Sequence, residues 1–583
     1  MNRPWLWPLA ALTCVVAAYS TVLDVGFLWD DIPLIRDNVD VHHLQAPWAS
    51  LGRGLWQHRF FSAAGAQPYY RPLISASYAV EWALGGGHPA LFHASNLLVH
   101  LGVCWLLFLL CRRAGAPALQ ASLAAAAFGV ATPLTECVTW ISGRTDLWAT
   151  AAVLAALLAW RDEGAPRRRA LGSALLLLLG LLSKESAIAG VVVVGLDAVL
   201  RSSRADALRS AAAMGAVVLG YTLLRHAAIG ATPVEPRSLS LSLASLGELT
   251  FTALTPWRAR PQVGFFSDAE PWAVALGAVA LVAGLAALWR GRRHAAFPSG
   301  AGAAVAVLLV SLVRAPAFTL TANRFLYLPL ALGLVAASHW RWPRWLLAGV
   351  ALGSAGLGVA TLQTNALWAD DLRLWLAIEA DAHPLNPGPS LEVGNALAER
   401  ARHQEALAHY ERSAALWGEV LESPPRLALA VTLSHLGRDA EALAQLEVLR
   451  RRSATWRRAW YDWPLFEARA ERLAQARAAL STVRQRFGPD EALDALERRI
   501  ESSAVALSSQ ETPRHARAFA YATLGATARA EGLYTGLLDD EDHRVDAATW
   551  LVVHGSEAVA TAAARSLGTD EAMALLRARW SDR

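Results

Sequence analysis

The chain has 583 residues, of which 54% are hydrophobic and 17% are charged, and its formal net charge is +4 at pH 7. This composition is too apolar for an ordinary soluble protein. The arginine excess has a membrane explanation, so the charge gives no support for a nucleic-acid partner. The cysteines all lie in or beside apolar runs and support neither a disulfide framework nor a cysteine-based metal site: Cys14, Cys104, Cys111 and Cys137.

Apolar runs of membrane length fill the chain up to Thr364, and Glu, Arg and Ala recur at helical spacing after it. We therefore predict an all-α protein with a polytopic membrane domain over residues 1–364 and a soluble helical domain over residues 365–583. The membrane domain holds about eleven candidate spans, at residues 5–23, 91–110, 118–134, 147–160, 170–182, 186–200, 210–226, 271–289, 300–313, 325–338 and 344–363. Several are shorter than the ~20 residues that cross a bilayer, so their ends are expected to extend into polar flanks.

The arginines of the short loops indicate the orientation of these spans. If Arg3 is cytoplasmic, the loops on the same side carry arginine clusters at residues 112–113, 161–169, 201–209, 290–293 and 341–344. The opposite loops carry far fewer basic residues, as the positive-inside rule requires. The sequence therefore predicts that the loop after the first span faces outward. An odd number of spans places the C-terminal domain outside as well.

An acid pair, Asp30 and Asp31, follows Trp29 at the start of this first outer loop. Ionisable groups at a membrane boundary tend to mark a substrate pathway. A carboxylate is also what a transferase needs to accept the proton of an acceptor hydroxyl. The alternative is that both acids are solvated loop residues that end the helix.

Lys184 is the single lysine of the chain, and it lies at the outer end of a predicted span. An ammonium group is a compact point charge that binds phosphate, whereas a guanidinium is a wide planar fork. The lone lysine therefore indicates a phosphate-binding position. The alternative is an interfacial lysine that pairs with its neighbour Glu185.

Further polar residues are predicted on the same outer side, in segments far apart in the chain: Arg71, Glu136, Arg144, Asp146, Arg324 and Tyr327. We expect the basic members to hold a lipid phosphate and the acidic members to serve an acceptor. A second set, His93, Asn96 and His100, shares one face of the second span. These residues suit either a polar site or hydrogen bonds between helices, and the pattern favours the latter.

Two segments after Pro389 repeat with a shift of 36 residues, with small and large residues in matching positions. The matched sets are Val393, Gly394, Leu397, Ala406, Tyr410 and Ser413, and Leu429, Ala430, Leu433, Ala442, Leu446 and Leu449. A third copy offers Ala518, Tyr521, Ala530 and Tyr534. This is the tetratricopeptide pattern, and it predicts an α-solenoid whose concave surface binds a protein partner. Residues 456–509 match poorly, which indicates a degenerate or interrupted array.

Taken together, the membrane half resembles the GT-C superfamily of polyprenyl-phosphate-sugar glycosyltransferases. The whole chain resembles the transmembrane and tetratricopeptide-repeat O-mannosyltransferase family. The resemblance rests on residues 27–31 (FLWDD), 70–73 (YRPL), the His93/Asn96/His100 helix, 140–147 (WISGRTDL), 182–185 (LSKE) and 324–329 (RFLYLP), followed by the repeats. The strong arginine and alanine bias indicates a bacterial member, and the repeat array is shorter than in the animal members.

This resemblance implies an inverting glycosyltransferase in which Asp30 or Asp31 accepts the proton of the attacking hydroxyl. It implies that the leaving lipid phosphate is held by Lys184 together with Arg71, Arg144 and Arg324. Asp146, Glu136, Tyr327 and Glu185 are then the candidates that orient the sugar or the acceptor.

The resemblance also implies a donor substrate, a polyprenyl-phosphate-linked sugar such as mannose, with no cofactor and no metal. The acceptor is expected to be a Ser or Thr hydroxyl of an exported protein, or a glycolipid. The expected location is the bacterial inner membrane, with the active site and the repeats on the periplasmic side. Two other classes compete: a non-enzymatic scaffold for envelope assembly, which leaves the outward polar cluster unexplained, and a flippase for lipid-linked sugars, which needs charges at mid-membrane depth.

Overall fold

The computed structural model describes residues 5–43, 48, 50–55, 69–162, 164–230, 235–258, 263–265, 270–314, 319–382, 384–418, 423–454, 456–509, 511–540, 542–567 and 572. Within these residues the secondary structure is almost entirely helical, which confirms the all-α prediction. The described strands are short and form two antiparallel pairs. β1 (Glu235–Pro236) pairs with β3 (Val313–Arg314), and β2 (Val263–Phe265) pairs with β4 (Thr319–Ala322).

The helices of the N-terminal part are α1 (Leu6–Ala18), α2 (Pro72–Gly85), α3 (Pro89–Arg113), α4 (Ala118–Gly129), α5 (Thr135–Val138), α6 (Arg144–Trp160), α7 (Pro166–Leu181), α8 (Ile188–Arg201), α9 (Arg204–Ile229), α10 (Leu239–Leu254), α11 (Pro271–Gly291), α12 (Phe297–Leu312), α13 (Tyr327–Ala337), α14 (Arg344–Asn365) and α15 (Asp371–Asp381). Each of the eleven predicted spans coincides with one of them. Helices α2 and α10 lie outside the predicted spans.

Helix length separates these segments into two groups. Among the described residues, five helices are long and apolar enough to cross a membrane, namely α1 with its extension to Asp24, α3, α9, α11 and α14. A sixth span results if α4 and the following turn to Val138, bent by 55°, are counted as one. The predicted number of about eleven therefore exceeds what helix length supports by itself, because several apolar helices, α10 and α12 among them, have fewer than 18 residues.

Burial shows which helices form the core of this bundle. Helix α6 buries residues on all sides, among them Leu147, Val153 and Leu157, which are completely inaccessible. A helix that is apolar all round belongs in the interior. In contrast, α11 buries few residues and α14 exposes Leu352 and Val359, as expected of helices that face lipid.

Helices α10 and α11 approach each other more closely than side chains permit. A Cβ atom on Gly247 would overlap the carbonyl oxygen of Ala273, and one on Gly277 would overlap that of Leu243. Glycine is therefore required at both positions, since only backbone fits between the two helices. This contact fixes α10, which the sequence pattern did not identify as a span, against a membrane-length helix.

The chain divides into two compact units, and the second begins at Pro384. The predicted boundary at residue 364 therefore lies too early, because α15 belongs to the first unit. The reason is packing: Trp375 of α15 is buried with its ring 5.2 Å from that of Trp29.

The second unit contains α16 (Pro387–Glu399), α17 (His403–Trp417), α18 (Pro424–His435), α19 (Asp439–Arg452), α20 (Arg457–Arg469), α21 (Leu473–Phe487), α22 (Glu491–Leu507), α23 (Arg514–Leu524), α24 (Thr527–Thr535), α25 (Arg544–His554) and α26 (Glu557–Leu567). The repeat positions predicted from the sequence are all buried here. Gly394 shows why the small residues matter, since a Cβ there would meet the ring of Tyr410 at 2.6 Å. Residues 456–509, which match the repeat poorly, continue the helix stack as α20, α21 and α22.

Candidate active site

The two adjacent carboxylates of the first loop have different surroundings. Asp31 is completely buried, and its side chain accepts hydrogen bonds from the backbone N–H of Ser142 (2.8 Å), from the Ser142 hydroxyl (2.5 Å) and from the N–H of Leu28 (3.3 Å). Asp30 is only half-buried. Burial raises the pKa of Asp31 to about 7, and the bonds from Ser142 and Leu28 oppose that rise. Asp31 therefore joins two loops, while Asp30 remains reachable by a substrate.

The single lysine forms a buried ion pair, but with a different partner from the one considered in the sequence. The Lys184 ammonium donates to both carboxylate oxygens of Asp146 at 2.6 Å, and neither side chain is more than 9% exposed. Asp146 lies in the first turn of α6, where a carboxylate is favoured by the helix dipole. Burial lowers the pKa of Lys184, and the Asp146 charge opposes that shift. The alternative of a surface pair with Glu185 is wrong.

Glu185 pairs instead with Arg71, at 2.9 Å between Nη2 and Oε2. Arg71 precedes α2 in the first loop, so this pair joins segments 114 residues apart. The Arg71 side chain is 12% exposed and its guanidinium lies 4.5 Å from the Tyr69 ring centroid. Pairing and stacking hold this cation in one place without removing it from solvent.

Arg324 provides a third cation, which contacts two aromatic rings. Its guanidinium lies 3.4 Å from Glu136 and 5.3 Å from the ring centroids of both Trp140 and Phe325. Its backbone N–H also donates to Glu136 at 3.2 Å. The Phe325 ring lies 5.5 Å from the ammonium of Lys184, so one phenyl ring separates the two cations.

Tyr69 connects these ion pairs with the first acid. Burial raises the pKa of its hydroxyl, and the nearby charges that act on it are those of Arg71, Glu185, Arg324 and Asp30. The three cations Lys184, Arg71 and Arg324 thus lie in one neighbourhood, as the sequence led us to expect, and Asp30 lies beside them. We refer to Asp30, Lys184, Arg71 and Arg324 as the charged cluster.

Two of the predicted site residues lie elsewhere, in the packed interior. Arg144 is completely buried and donates to Glu81 (2.9 Å), Ser77 (3.0 Å) and the carbonyl of Phe92 (3.1 Å). Tyr327 is also completely buried, and its hydroxyl forms a 2.6 Å hydrogen bond with His100 Nδ1. The prediction that these residues bind substrate is corrected accordingly: both hold helices together.

The polar face of α3 likewise forms hydrogen bonds between segments, as the pattern favoured. The Asn96 amide donates to the carbonyl oxygens of Val138, Trp140 and Ile141 at 3.2–3.3 Å. His100 Nε2 lies 3.0 Å from the carbonyl of Gly129. These contacts position the loop that carries Ser142.

Sequence reasoning missed four residues that shape the charged cluster: Tyr69, Trp140, Ser142 and Phe325. Each lies within a segment that the sequence had singled out, but their roles depend on contacts with distant segments. Gly143 is a further example, since a Cβ there would overlap the backbone carbonyl of Glu136. This close approach brings the Glu136 segment against the start of α6. Within the described part of the chain, no group of three or more His, Cys, Asp or Glu side chains is arranged to hold a metal ion.

No protein-family model matches the chain. Protein O-mannosyl-transferase Tmtc2 of Drosophila melanogaster is 36% identical over 194 residues, which are 31% of this chain and 20% of that protein. Its relatives are protein O-mannosyl-transferases. Tmtc1 of Drosophila melanogaster is 32% identical over 31% of this chain and 21% of its own length. TMTC4 of Homo sapiens is 32% identical over 32% of this chain and 28% of its own length.

The chain therefore spans between a fifth and three-tenths of the length of these relatives. Among solved structures, a tetratricopeptide repeat protein from Parabacteroides merdae is 16% identical and covers 36% of this chain and 90% of its own, with a TM-score of 0.21. A TM-score this low does not establish a shared fold. The sequence relatives thus carry the comparison, together with the apolar helices that mark a membrane protein.

Proposed function

We propose that the first unit is a membrane glycosyltransferase that moves mannose from a polyprenyl-phosphate donor to a Ser or Thr hydroxyl of an exported protein. The observation that supports this most directly is the charged cluster, in which three cations from distant segments lie beside one accessible carboxylate. The similarity to protein O-mannosyl-transferases supports the sugar and the class of acceptor.

In the proposed reaction Asp30 accepts the proton of the acceptor hydroxyl as its oxygen attacks the anomeric carbon of mannose. The bond between that carbon and the phosphate oxygen breaks, and its electron pair leaves with the polyprenyl phosphate. One direct displacement inverts the anomeric configuration. Lys184, Arg71 and Arg324 stabilise the phosphate, and a well-placed donor of this kind is worth about 3–4 kcal/mol in the transition state.

Each cation of the cluster is held by its own carboxylate, Asp146, Glu185 or Glu136. We assign these acids to orienting the cations, so that the donor phosphate meets groups already in position. Preorganised charges of this kind need no rearrangement when charge develops. No cofactor enters this scheme, and the lipid-linked sugar is the donor substrate.

The orientation is part of the proposal: the charged cluster and the repeats are placed on the periplasmic side of a bacterial inner membrane. Its support is the arginine distribution between alternate loops. Alkaline phosphatase fused after Gln363 should be active, and a fluorescent protein fused there should be dark. A bright fusion would contradict the outward placement of the cluster.

Transfer itself is tested with purified full-length protein, polyprenyl-phosphate mannose and a Ser/Thr-rich peptide. Asp30→Asn should lower turnover by about 10²–10⁴-fold, because an amide cannot accept the proton. Asp37→Asn is the matched control, since Asp37 lies in the same loop but is exposed and pairs with Arg36. Equal turnover in the wild type and Asp30→Asn would remove Asp30 from the mechanism, and no transfer by the wild type would overturn the function.

A further inference from the structure

Trp375 lies in α15, beyond the last predicted span, yet its indole is buried in the first unit. Its ring meets that of Trp29 nearly edge-on, with centroids 5.2 Å apart and planes at 80°. On another side, Trp29 stacks on Trp140 with centroids 4.8 Å apart and planes at 26°. The side chain of Trp29 is therefore held between two indoles that belong to distant segments.

The backbone of Trp29 adopts a conformation that explains why such support is needed. Its φ is +48°, in the left-handed region that side-chain-bearing residues rarely adopt. Among the described residues, the other non-glycine residues with positive φ are Ala401 and Glu471. A bulky residue stays in this region only when its surroundings hold it there, and such positions concentrate at functional sites.

The left-handed residue separates the two acids that follow it. The N–H of Asp31 donates to the carbonyl of Leu28 at 2.9 Å, which closes a tight turn with Trp29 and Asp30 at its centre. The turn directs Asp31 inward to Ser142 and leaves Asp30 half-buried. Without it, two adjacent carboxylates would compete for the same positions.

We propose that Trp375 is a positioning residue for Asp30: by packing against Trp29 it maintains the left-handed turn that keeps Asp30 accessible and Asp31 buried. This inference rests on the proposed function to the extent that Asp30 is the base. It also extends the catalytic machinery past residue 364 into α15, so the membrane-spanning segments alone do not complete the site.

Steady-state kinetics of the full-length protein give the first test. Trp375→Leu keeps an apolar side chain but removes the ring, and we expect kcat to fall by about 10²-fold, because small misplacements of a catalytic group have effects of this size. KM for donor and acceptor should stay within about twofold, since neither contacts Trp375. Trp375→Phe retains a ring edge and should restore most of the kcat.

Trp160→Leu is the matched control, because Trp160 is also a buried tryptophan of the first unit but lies at the opposite end of α6 from Asp146. It should lower the amount of folded protein without a selective effect on kcat per folded molecule. A kcat for Trp375→Leu equal to that of the wild type, or equal to that of Trp160→Leu, would overturn the proposal.

A second measurement does not depend on sugar transfer. A water-soluble carbodiimide with glycine ethyl ester converts accessible carboxyl groups to amides, which peptide mass spectrometry locates. In the wild type Asp30 should react and Asp31 should not; in Trp375→Leu, Asp31 should become reactive and the rate at Asp30 should change. If no protein transfers mannose but this pattern appears, the proposed function fails and the positioning role stands. Unchanged labelling in Trp375→Leu would overturn the positioning role.

Discussion

Ser142 donates two hydrogen bonds to the Asp31 side chain, one from its backbone N–H and one from its hydroxyl. The two residues lie 111 positions apart, so this contact joins the first loop to the segment that begins α6. It decides between two neighbouring acids that look equivalent in the sequence. Asp31 maintains the architecture of the site, and Asp30 is left for chemistry.

Asp31 should make stability depend on pH. Burial raises its pKa to about 7 from 3.8, so between these values the folded protein retains a proton that the unfolded chain releases. The free energy of unfolding should therefore fall as pH rises from about 4 to about 7, by up to about 4 kcal/mol from this group. Asp31→Asn removes this titration, so the variant should gain stability relative to the wild type over that interval. Thermal unfolding in detergent across this range measures it; a difference that does not change with pH would contradict the assignment.

Lys184→Arg tests whether the compact ammonium is required. Lys184 is 7% exposed and already lies 2.6 Å from both oxygens of Asp146, so a wide guanidinium does not fit the same space. We expect turnover to fall by about 10²-fold through misplacement of the donor. Arg53→Lys is the control, because Arg53 forms an exposed pair with Asp40, and such pairs contribute about 0–1 kcal/mol. Wild-type turnover in Lys184→Arg would show that charge alone suffices at this position.

Two arginines that the sequence treats alike should respond differently to the same substitution. Arg144→Gln leaves Glu81 without its buried partner, which costs about 3–5 kcal/mol, and the yield of folded protein should drop. Arg324→Gln leaves Glu136 with the backbone N–H of residue 324, so the protein should fold while turnover drops by about 10²–10³-fold. Folded yield comes from size-exclusion chromatography and turnover from the transfer assay. The reverse outcome would return Arg144 to the phosphate site.

The contact between α10 and α11 should not tolerate a single added methyl group. Gly247→Ala places a Cβ on the carbonyl oxygen of Ala273, and overpacking of this kind costs about 1–3 kcal/mol. Gly349→Ala, on α14, meets nothing within 4 Å and should be neutral or slightly stabilising. The thermal midpoints of the two purified variants make the comparison, and equal midpoints would contradict the close packing.

The sequence identified much of this molecule, because apolar periodicity is a local property. Every predicted span is a helix, and the repeat positions are buried. The placement of individual polar residues depended on distant contacts that no local pattern contains. Arg144 and Arg324 both lie next to an apolar helix, and only packing against Glu81 or Trp140 distinguishes them. Helix α15 was assigned to the soluble part because its polar composition conceals the burial of Trp375.

The separation of the ion-paired residues along the chain also sets an order on biosynthesis. Asp146 meets Lys184 after 38 residues and Arg71 meets Glu185 after 114, but Glu136 is paired by Arg324 only 188 residues later. At about 5–20 residues per second, that interval lasts roughly 10–40 s. The nascent protein thus inserts most of its membrane helices while Glu136 still lacks this partner. A ribosome that stalls before Arg324 leaves a membrane-bound fragment whose cation site is incomplete, so transfer begins only on finished chains.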